Sequence, residues 1–381
     1  MKPFFQTFTT FHALQNAWRV VRAKNSAGGI DGFSLAAFEK NLADNLHLLR
    51  HELLTEQWNP EPYLKVEIEK AGKAEKRKLG LLCIKDKIVQ QAIKTAVEPQ
   101  MDKMFLNISY GYRPERGAER AIRRVLHDLR HLKGGYVAKL DIDDFFDAVN
   151  HERLFVRLGN WLQDDKTLKI IRLCVQMGNV TAGFKWNDAT KGIPQGAVLS
   201  PLLANFYLHP FDQFVSSRLP VYVRYADDFV IAAPTVSEVE DYIASIKENL
   251  NENFFLQLNA PIIKNICEGV ESLGVIVSDK GVFITEKKKK DLAERIQSIT
   301  FTNTFLSAHS IETLRGIKNY YARLLSEDIL KDLDCVLIER LNALIKRFHK
   351  NISSTKELSE SLQVLDFFSK NCQENLNSAT L

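Results

Sequence analysis

The stretch Val221-Tyr-Val-Arg-Tyr-Ala-Asp-Asp-Phe-Val-Ile-Ala-Ala233 decides the fold. Val221, Val223 and Tyr225 alternate with Tyr222 and Arg224, and Phe229-Val-Ile resumes the β-rich run, so the segment reads as strand, tight turn, strand. Asp227 and Asp228 sit at the bend. Adjacent carboxylates repel one another, and in a half-buried hairpin they cost stability unless a cation neutralises them. The pair therefore predicts a metal site, with hard oxygen ligands suited to Mg²⁺ or Mn²⁺. Four residues are weak evidence alone, and the reading needs partners elsewhere in the chain.

A partner stands upstream, in Gly135-Tyr-Val-Ala-Lys-Leu-Asp-Ile-Asp-Asp-Phe-Phe-Asp147. Tyr136, Ala138, Leu140 and Ile142 alternate with Val137, Lys139, Asp141 and Asp143, which predicts a strand whose polar face ends in acids. Asp141 is thereby presented at a strand's C-terminal edge, where one sheet can bring it to the hairpin. Three carboxylates from two strands suit two Mg²⁺ ions, one activating a hydroxyl and the other stabilising a pyrophosphate leaving group. Read as plain surface acids, Asp141 and Asp143 are accounted for, but their match to the hairpin is not. Between the two acid clusters lies Lys191-Gly-Ile-Pro-Gln-Gly-Ala-Val-Leu-Ser-Pro201. Its glycines permit close backbone approach, and Ser200-Pro201 opens an apolar helix.

Composition sets the outer bounds. A chain of 381 residues, 45% hydrophobic and 26% charged, has the balance of a globular protein with two or three subdomains. No apolar run is long enough to span a bilayer and the first residues lack a signal's apolar core, so a cytoplasmic protein without membrane partners is expected. Cys83, Cys174, Cys267, Cys335 and Cys372 are scattered, which argues against structural zinc and a disulfide framework. A net charge of +4 does not announce nucleic acid, so local clusters must carry that claim.

Several such clusters occur. A helix is expected from the N-cap Ser34 to Leu54, followed by β-like alternation from Tyr63 to Leu82 around the cationic turn Lys70 to Lys78. That turn is either a solvated face or a phosphate-gripping loop using Lys70 and Arg77. Residues 86–100 read as a helix broken by Ser109-Tyr-Gly-Tyr-Arg-Pro114. Beyond it Arg116, Arg120, Arg123 and Arg124 recur at helical spacing opposite Ile122, Val125 and Leu129, a basic stripe that either binds a nucleic-acid backbone or is simply solvated. After Gly281 the chain turns helical again, with a long stripe from Leu330 to Phe348 and cations at Lys287 to Lys290, Arg315, Lys318 and Arg323.

Leu140-Asp-Ile-Asp-Asp-Phe-Phe-Asp147, Gly192-Ile-Pro-Gln-Gly196 and Tyr225-Ala-Asp-Asp228, in that order, resemble the palm motifs of reverse transcriptases, most of all the prokaryotic group II intron-like type. Lys76-Arg-Lys-Leu-Gly80, Ile84-Lys-Asp-Lys-Ile-Val-Gln-Gln91 and Ser109-Tyr-Gly-Tyr-Arg-Pro114 are similar to the fingers, Leu273-Gly-Val275 to the primer-grip turn, and Leu314-Arg-Gly-Ile-Lys-Asn-Tyr-Tyr321 to the start of the thumb. The resemblance implies an α+β right-hand polymerase fold: a helical extension over 1–62, fingers over 63–134, and a palm over 135–280 whose antiparallel sheet carries the acids, with a finger-like insertion around 150–190. An α-helical thumb over 281–351 and a helical cap or tail over 352–381 complete it.

Carried over position by position, the resemblance implies catalytic roles for Asp141, Asp227 and Asp228, with the Ile142 carbonyl as a further metal ligand and two Mg²⁺ ions, or Mn²⁺ in their place, as cofactors. Phe146 matches the sugar gate, filling the space of a ribose 2′-hydroxyl. Arg77, Lys70, Gln195 and Lys264 match nucleotide-binding positions, and Arg113, Arg116, Arg120, Arg124, Arg315 and Lys318 are the candidates for nucleic-acid contact. The implied partners are an RNA template, a DNA or RNA primer and deoxynucleoside triphosphates. A homo-oligomer or a partner protein stays open. Lys78 and Leu82 replace prolines common in the family, Asn150 replaces an acid, and Gly274-Val275 lacks the usual aromatic.

The expected activity is RNA-directed DNA synthesis, in a freestanding enzyme of the kind that works with a dedicated non-coding RNA in phage defence. Two alternatives belong to other classes: an intron-type splicing helper that does not need Asp227 and Asp228, and a template-independent or ribonucleotide-using nucleotidyl transferase.

Overall fold

The computed structural model describes residues 3–69, 76–181, 186–187, 189–302 and 305–348. The chain opens with α1 (Phe4–Phe8), α2 (Phe11–Ala23), α3 (Leu35–Lys40) and α4 (Leu42–Leu54). The single helix expected from Ser34 to Leu54 is divided at Asn41, whose φ of −123° and ψ of 42° lie outside the helical region. Asn45 Nδ2 then donates to Phe38 O, satisfying a carbonyl that the break exposes. Ser34 caps α3 as its position predicts, accepting from Ala37 N.

The hairpin β1 (Tyr63–Glu69) and β2 (Lys76–Leu81) leads into α5 (Ile84–Met104), and α6 (Ala118–Leu132) precedes β3 (Tyr136–Asp141). Next come α7 (Phe145–Ala148), α8 (His151–Leu162), α9 (Asp165–Gln176), the short β4 (Asn179–Thr181) and β5 (Trp186–Asn187), and α10 (Ser200–Ser216). The hairpin β6 (Val221–Tyr225) and β7 (Asp228–Ala233) follows, then α11 (Val236–Phe254), β8 (Ile262–Asn265), β9 (Val270–Ser272), β10 (Val275–Ser278) and β11 (Gly281–Phe283). The last elements are α12 (Glu286–Gln297), β12 (Phe301–Thr302), β13 (Phe305–Leu306), α13 (Ala308–Tyr321) and α14 (Glu327–Phe348). Hence the fold is α+β. The order β6-β7-β3-β8 defines the sheet that carries the acids.

The chain divides into two compact units, the first comprising residues 1–117, 140–231 and 237–261. Its core is built on α5 and α10. Ile88, Val89, Ala92, Ile93 and Val97 are buried on α5, and Leu202, Leu203, Phe206, Tyr207, Leu208 and Phe211 on α10. Both helices are buried on several sides, α5 with the polar Asp86, Lys87, Gln90 and Gln91 among its buried residues, and burying each apolar side chain contributes roughly 1.5–3 kcal/mol. A sheet of the order β2-β1-β4-β5 lies in this unit, with β1 and β2 antiparallel and Arg77 opposite Ile68.

The second unit comprises residues 118–139, 232–236 and 262–381. Here α6 buries Ala121, Ile122, Val125 and Leu129, the apolar face expected from its spacing. Arg123 Nη2 donates to Arg323 O and Arg130 Nε to Asp279 O, so part of the basic stripe is spent inside this unit. The turn Leu273-Gly274 has φ of +53° and +80°, the two positive values that join β9 to β10 in a tight hairpin. The hydroxyl of Tyr320 donates to Leu273 O, a packing role for that ring. Leu330, Leu333, Leu337, Leu341 and Leu344 are buried along α14, the expected stripe. Lys288 pairs with Asp291 and Lys289 with Asp332, so the lysine run is partly neutralised by its own unit.

Candidate active site

Backbone bonds within the first unit bring the end of β3, where Asp141 stands, beside the hairpin turn that carries Asp227 and Asp228. Ile142 N donates to Asp227 O at 3.3 Å, which sets the residue after Asp141 beside the turn of the hairpin. On the other side, Asn259 N donates to Asp141 O at 2.9 Å and Asp143 N to Gln257 O at 2.9 Å. The strand-end acid is thus held between the hairpin turn and the segment 257–259. Asp141, Asp227 and Asp228 are all half-buried.

The turn itself is unusual in composition. Only Ala226 has a positive φ, +60°, at the first central position, where a two-residue hairpin loop ordinarily takes Gly. Gly111 lies directly against Ala226 N, and a Cβ there would collide with the turn.

Phe146 lies on α7, half-buried, with the Tyr112 ring edge-on at 6.3 Å and Phe145 at 5.5 Å. Its carbonyl accepts from Ile193 N at 2.7 Å, which ties α7 to the Gly192-Ile-Pro-Gln-Gly196 loop. Gly192, at φ +84°, leaves no room for a Cβ against Phe146 O, so glycine is required by both conformation and space. At the loop's other end Gly80 N donates to Gln195 O at 2.6 Å, which pins Gln195 beside β2, the strand that carries Arg77. His151 is buried and its Nε2 meets Gly192 O at 2.6 Å, while burial holds its pKa below the usual value.

The remaining sequence candidates divide. Lys70 lies outside the described residues. Lys264 is exposed on β8 opposite Val137, in the second unit. Arg120 and Arg315 are exposed. Arg116 bonds Asn107, Arg124 pairs with Asp128, and Lys318 is half-buried on α13. Arg113 is a correction: its side chain is 3% exposed and is consumed by the Asp102 carboxylate and by the carbonyls of Asp102, in the last turn of α5, and Leu106, just past it, so it does not face a phosphate backbone.

Other residues of the site went unread in the sequence. Asn259 Nδ2 donates to Asp141 Oδ2 at 2.8 Å, and Tyr112 frames Phe146. Asp212 and Arg224 lie beneath the turn as an ion pair at 2.6 Å. Arg224 left a signal, a single charge inside an otherwise apolar strand. Asn259 left none.

The donor set fits a hard divalent cation, being all oxygen and half-buried at adjoining strand ends. Among the described residues, however, no group of three or more His, Cys, Asp or Glu is arranged as a finished metal site. The backbone brings the carboxylates to one neighbourhood, and one oxygen of Asp141 is taken by Asn259.

Helices packed with antiparallel sheets, one of them carrying a hairpin with adjacent acids at its turn, have the arrangement of the right-hand polymerase fold. A telomerase from Candida albicans, solved with a TWJ fragment of telomeric RNA, shares the fold with a TM-score of 0.54 at 11% identity, covering 91% of this chain and 66% of that one. The profile described as "Reverse transcriptase (RNA-dependent DNA polymerase)" matches residues 68–277, more than half of the chain. The chain belongs to the reverse transcriptase family and is an RNA-directed DNA polymerase. It is similar to Protein YkfC of Escherichia coli (strain K12), 31% identical and covering 61% of this chain and 70% of that one. It is also similar to the group II intron-encoded protein LtrA of Lactococcus lactis subsp. cremoris, 27% identical over 51% of this chain, though it spans only 31% of LtrA's length. The retron Ec86 reverse transcriptase of Escherichia coli is 24% identical, over 58% of this chain and 64% of that one. No helix among the described residues is long and apolar enough to cross a membrane.

Proposed function

We propose that this chain copies RNA into DNA with Asp141, Asp227 and Asp228 as the metal-holding carboxylates and the Ile142 carbonyl as a further ligand. The observation that carries this reading is the Ile142 N to Asp227 O bond, which joins the two acid-bearing elements. Two Mg²⁺ ions held there would activate a primer 3′-hydroxyl and neutralise the departing pyrophosphate. The chain's own residues then bind and select. Phe146, steadied by Tyr112 and Phe145, excludes a ribose 2′-hydroxyl by occupying its space. Arg77 on β2 and Gln195 on the adjoining loop serve the triphosphate and the base pair, and Lys264 and Lys70 add cationic contacts.

In this reading residues 63–134 are fingers, 135–280 palm and 281–351 thumb, with Arg116, Arg120, Arg124, Arg315 and Lys318 along the template and primer. The setting we infer is cytoplasmic phage defence with a dedicated non-coding RNA. Similarity to LtrA favours an intron-linked role as the second reading.

The test is extension of a DNA primer on an RNA template by the purified chain, with Mg²⁺ and each nucleotide class. Extension by deoxynucleotides that needs the template and ends with Asp228→Asn supports the reading. Extension without template, or with ribonucleotides alone, favours the other nucleotidyl transferases. Sequencing the RNA and cDNA that copurify, beside phage plating of strains with and without Asp228→Asn, separates defence from an intron role.

A further inference from the structure

Beneath the hairpin turn lies a charged side chain with no contact to solvent. Arg224 is 1% exposed and Asp212 0%, in a strand and a helix that are otherwise almost wholly buried. The guanidinium spends its donors on four groups. Nε and Nη2 bind the two oxygens of Asp212 at 2.7 and 2.6 Å, and Nη2 also reaches Ser109 Oγ at 2.9 Å. Nη1 binds Asn205 Oδ1 at 3.1 Å and the carbonyl of Ala226 at 2.7 Å. Tyr222 adds its hydroxyl to Asp212 at 2.6 Å.

A buried ion pair is a poor way to gain stability, because hydrophobic residues of the same volume do as well or better. Its better-attested use is to specify one arrangement of the chain. Here the arrangement is written in the last bond. Ala226 holds a left-handed φ that a non-glycine residue adopts at a cost, and its carbonyl begins the peptide that carries Asp227. The same Asn205 that accepts from Arg224 donates through Nδ2 to Gly111 O at 2.8 Å, and Gly111 packs against Ala226 N. Strand β6 is gripped from the side as well, by Arg224 N to Ile108 O and Tyr110 N to Arg224 O. The turn is clamped from below and from one flank.

We propose that Arg224 is the positioning residue of the site: locked by Asp212, it holds the Ala226 carbonyl and so sets where the Asp227 and Asp228 carboxylates stand. The proposal rests on the polymerase reading above. It requires a planar fork with several donors. Lysine supplies the charge and three donors, but all on one nitrogen, so it cannot span the whole set from Asp212 to Ser109, Asn205 and Ala226 O.

The experiment compares the wild type with Arg224→Lys and with Asp228→Asn, measuring thermal unfolding, kcat and KM for primer extension, and Mn²⁺ binding by electron paramagnetic resonance in the absence of nucleotide. For folded Arg224→Lys the expected result is a kcat at least about tenfold lower with KM for the nucleotide within about twofold, and Mn²⁺ binding several-fold weaker. Wild-type kcat and Mn²⁺ affinity in folded Arg224→Lys overturn the proposal. If Arg224→Lys does not fold, Asp212→Asn takes its place, since it keeps the side-chain volume while removing the charge that locks the guanidinium. That variant is expected to show the same pattern at reduced size, and full activity with unchanged Mn²⁺ binding overturns the proposal equally. Undiminished synthesis by Asp228→Asn instead removes Asp228 from the metal-holding set, and a wild type that extends no primer removes the polymerase reading, each a failure separate from that of the proposal.

Discussion

Asn259 closes on Asp141 twice, its backbone N–H donating to the Asp141 carbonyl at 2.9 Å and its side-chain Nδ2 to Oδ2 at 2.8 Å. The first bond fixes the strand end, and the second orients the carboxylate. A residue with no signature of its own in the sequence thereby controls one of the three acids on which the activity is proposed to rest.

Asn259→Ala is therefore expected to slow primer extension by about tenfold to a hundredfold, the worth of roughly 1.5–3 kcal/mol for one hydrogen bond to a charged group. Asn259→Asp should be worse and should raise the Mg²⁺ concentration needed for half-maximal rate, because a second carboxylate beside Asp141 repels it. Steady-state kinetics across a Mg²⁺ series, with unfolding temperature as the control, reads both. An Asn259→Ala enzyme as fast as wild type would show that the carboxylate needs no such guide.

Single Asn substitutions at Asp141, Asp227 and Asp228 keep the side-chain size at half-buried positions, so the fold should survive. Incorporation should fall by at least about 10³-fold in each, since metal-held charge stabilisation is worth several kcal/mol. Circular dichroism beside single-turnover extension separates the two effects. Retained activity at any one of the three would remove that residue from the metal set.

Phe146→Ala opens the space framed by Tyr112 and Phe145. The ratio of deoxynucleotide to ribonucleotide incorporation is expected to drop by about 10²-fold or more, mostly through faster ribonucleotide use, because steric exclusion is lost while binding contacts remain. Competing-substrate extension followed by alkaline cleavage of the product measures it.

Asp212→Ala leaves the Arg224 guanidinium buried without its counter-charge. Breaking such a pair costs about 3–5 kcal/mol. Urea unfolding should show this loss as a lower midpoint with an unchanged slope.

Asp86 makes a pH prediction. Burial, only partly offset by the Glu61 N–H and by Lys85, raises its pKa to about 7, and among the described residues its Oδ1 finds no hydrogen-bond partner. A carboxyl whose pKa is higher folded than unfolded binds its proton more tightly in the native state. Its contribution is full below about pH 4, declines as pH rises, and is gone above about pH 7, a span worth roughly 4 kcal/mol. Asp86→Asn should flatten the fall in stability between those limits, and denaturant midpoints at pH 5 and pH 8 for both proteins test it.

Local signals determined much of this protein. Alternation marked β3, β6 and β7, the spacing of apolar residues marked α6 and α14, and the doubled acid at Asp227-Asp228 marked a turn under charge. Each of these depends on neighbours within one or two turns of chain, so periodicity and turn chemistry suffice to read them. The boundary at Asn41 and the extent of α5 were less legible, since both depend on which end carbonyls find partners.

What only the tertiary structure decided is the set of contacts made across long stretches of chain. No spacing in the sequence relates Asn259 to Asp141, Asp212 to Arg224, or Gly111 to Ala226. Arg113 looked like one more cation of a basic segment until its burial against the end of α5 was seen. Local patterns report which residues face a core, but a hydrogen bond between residues a hundred positions apart exists only once the chain has closed the loop between them.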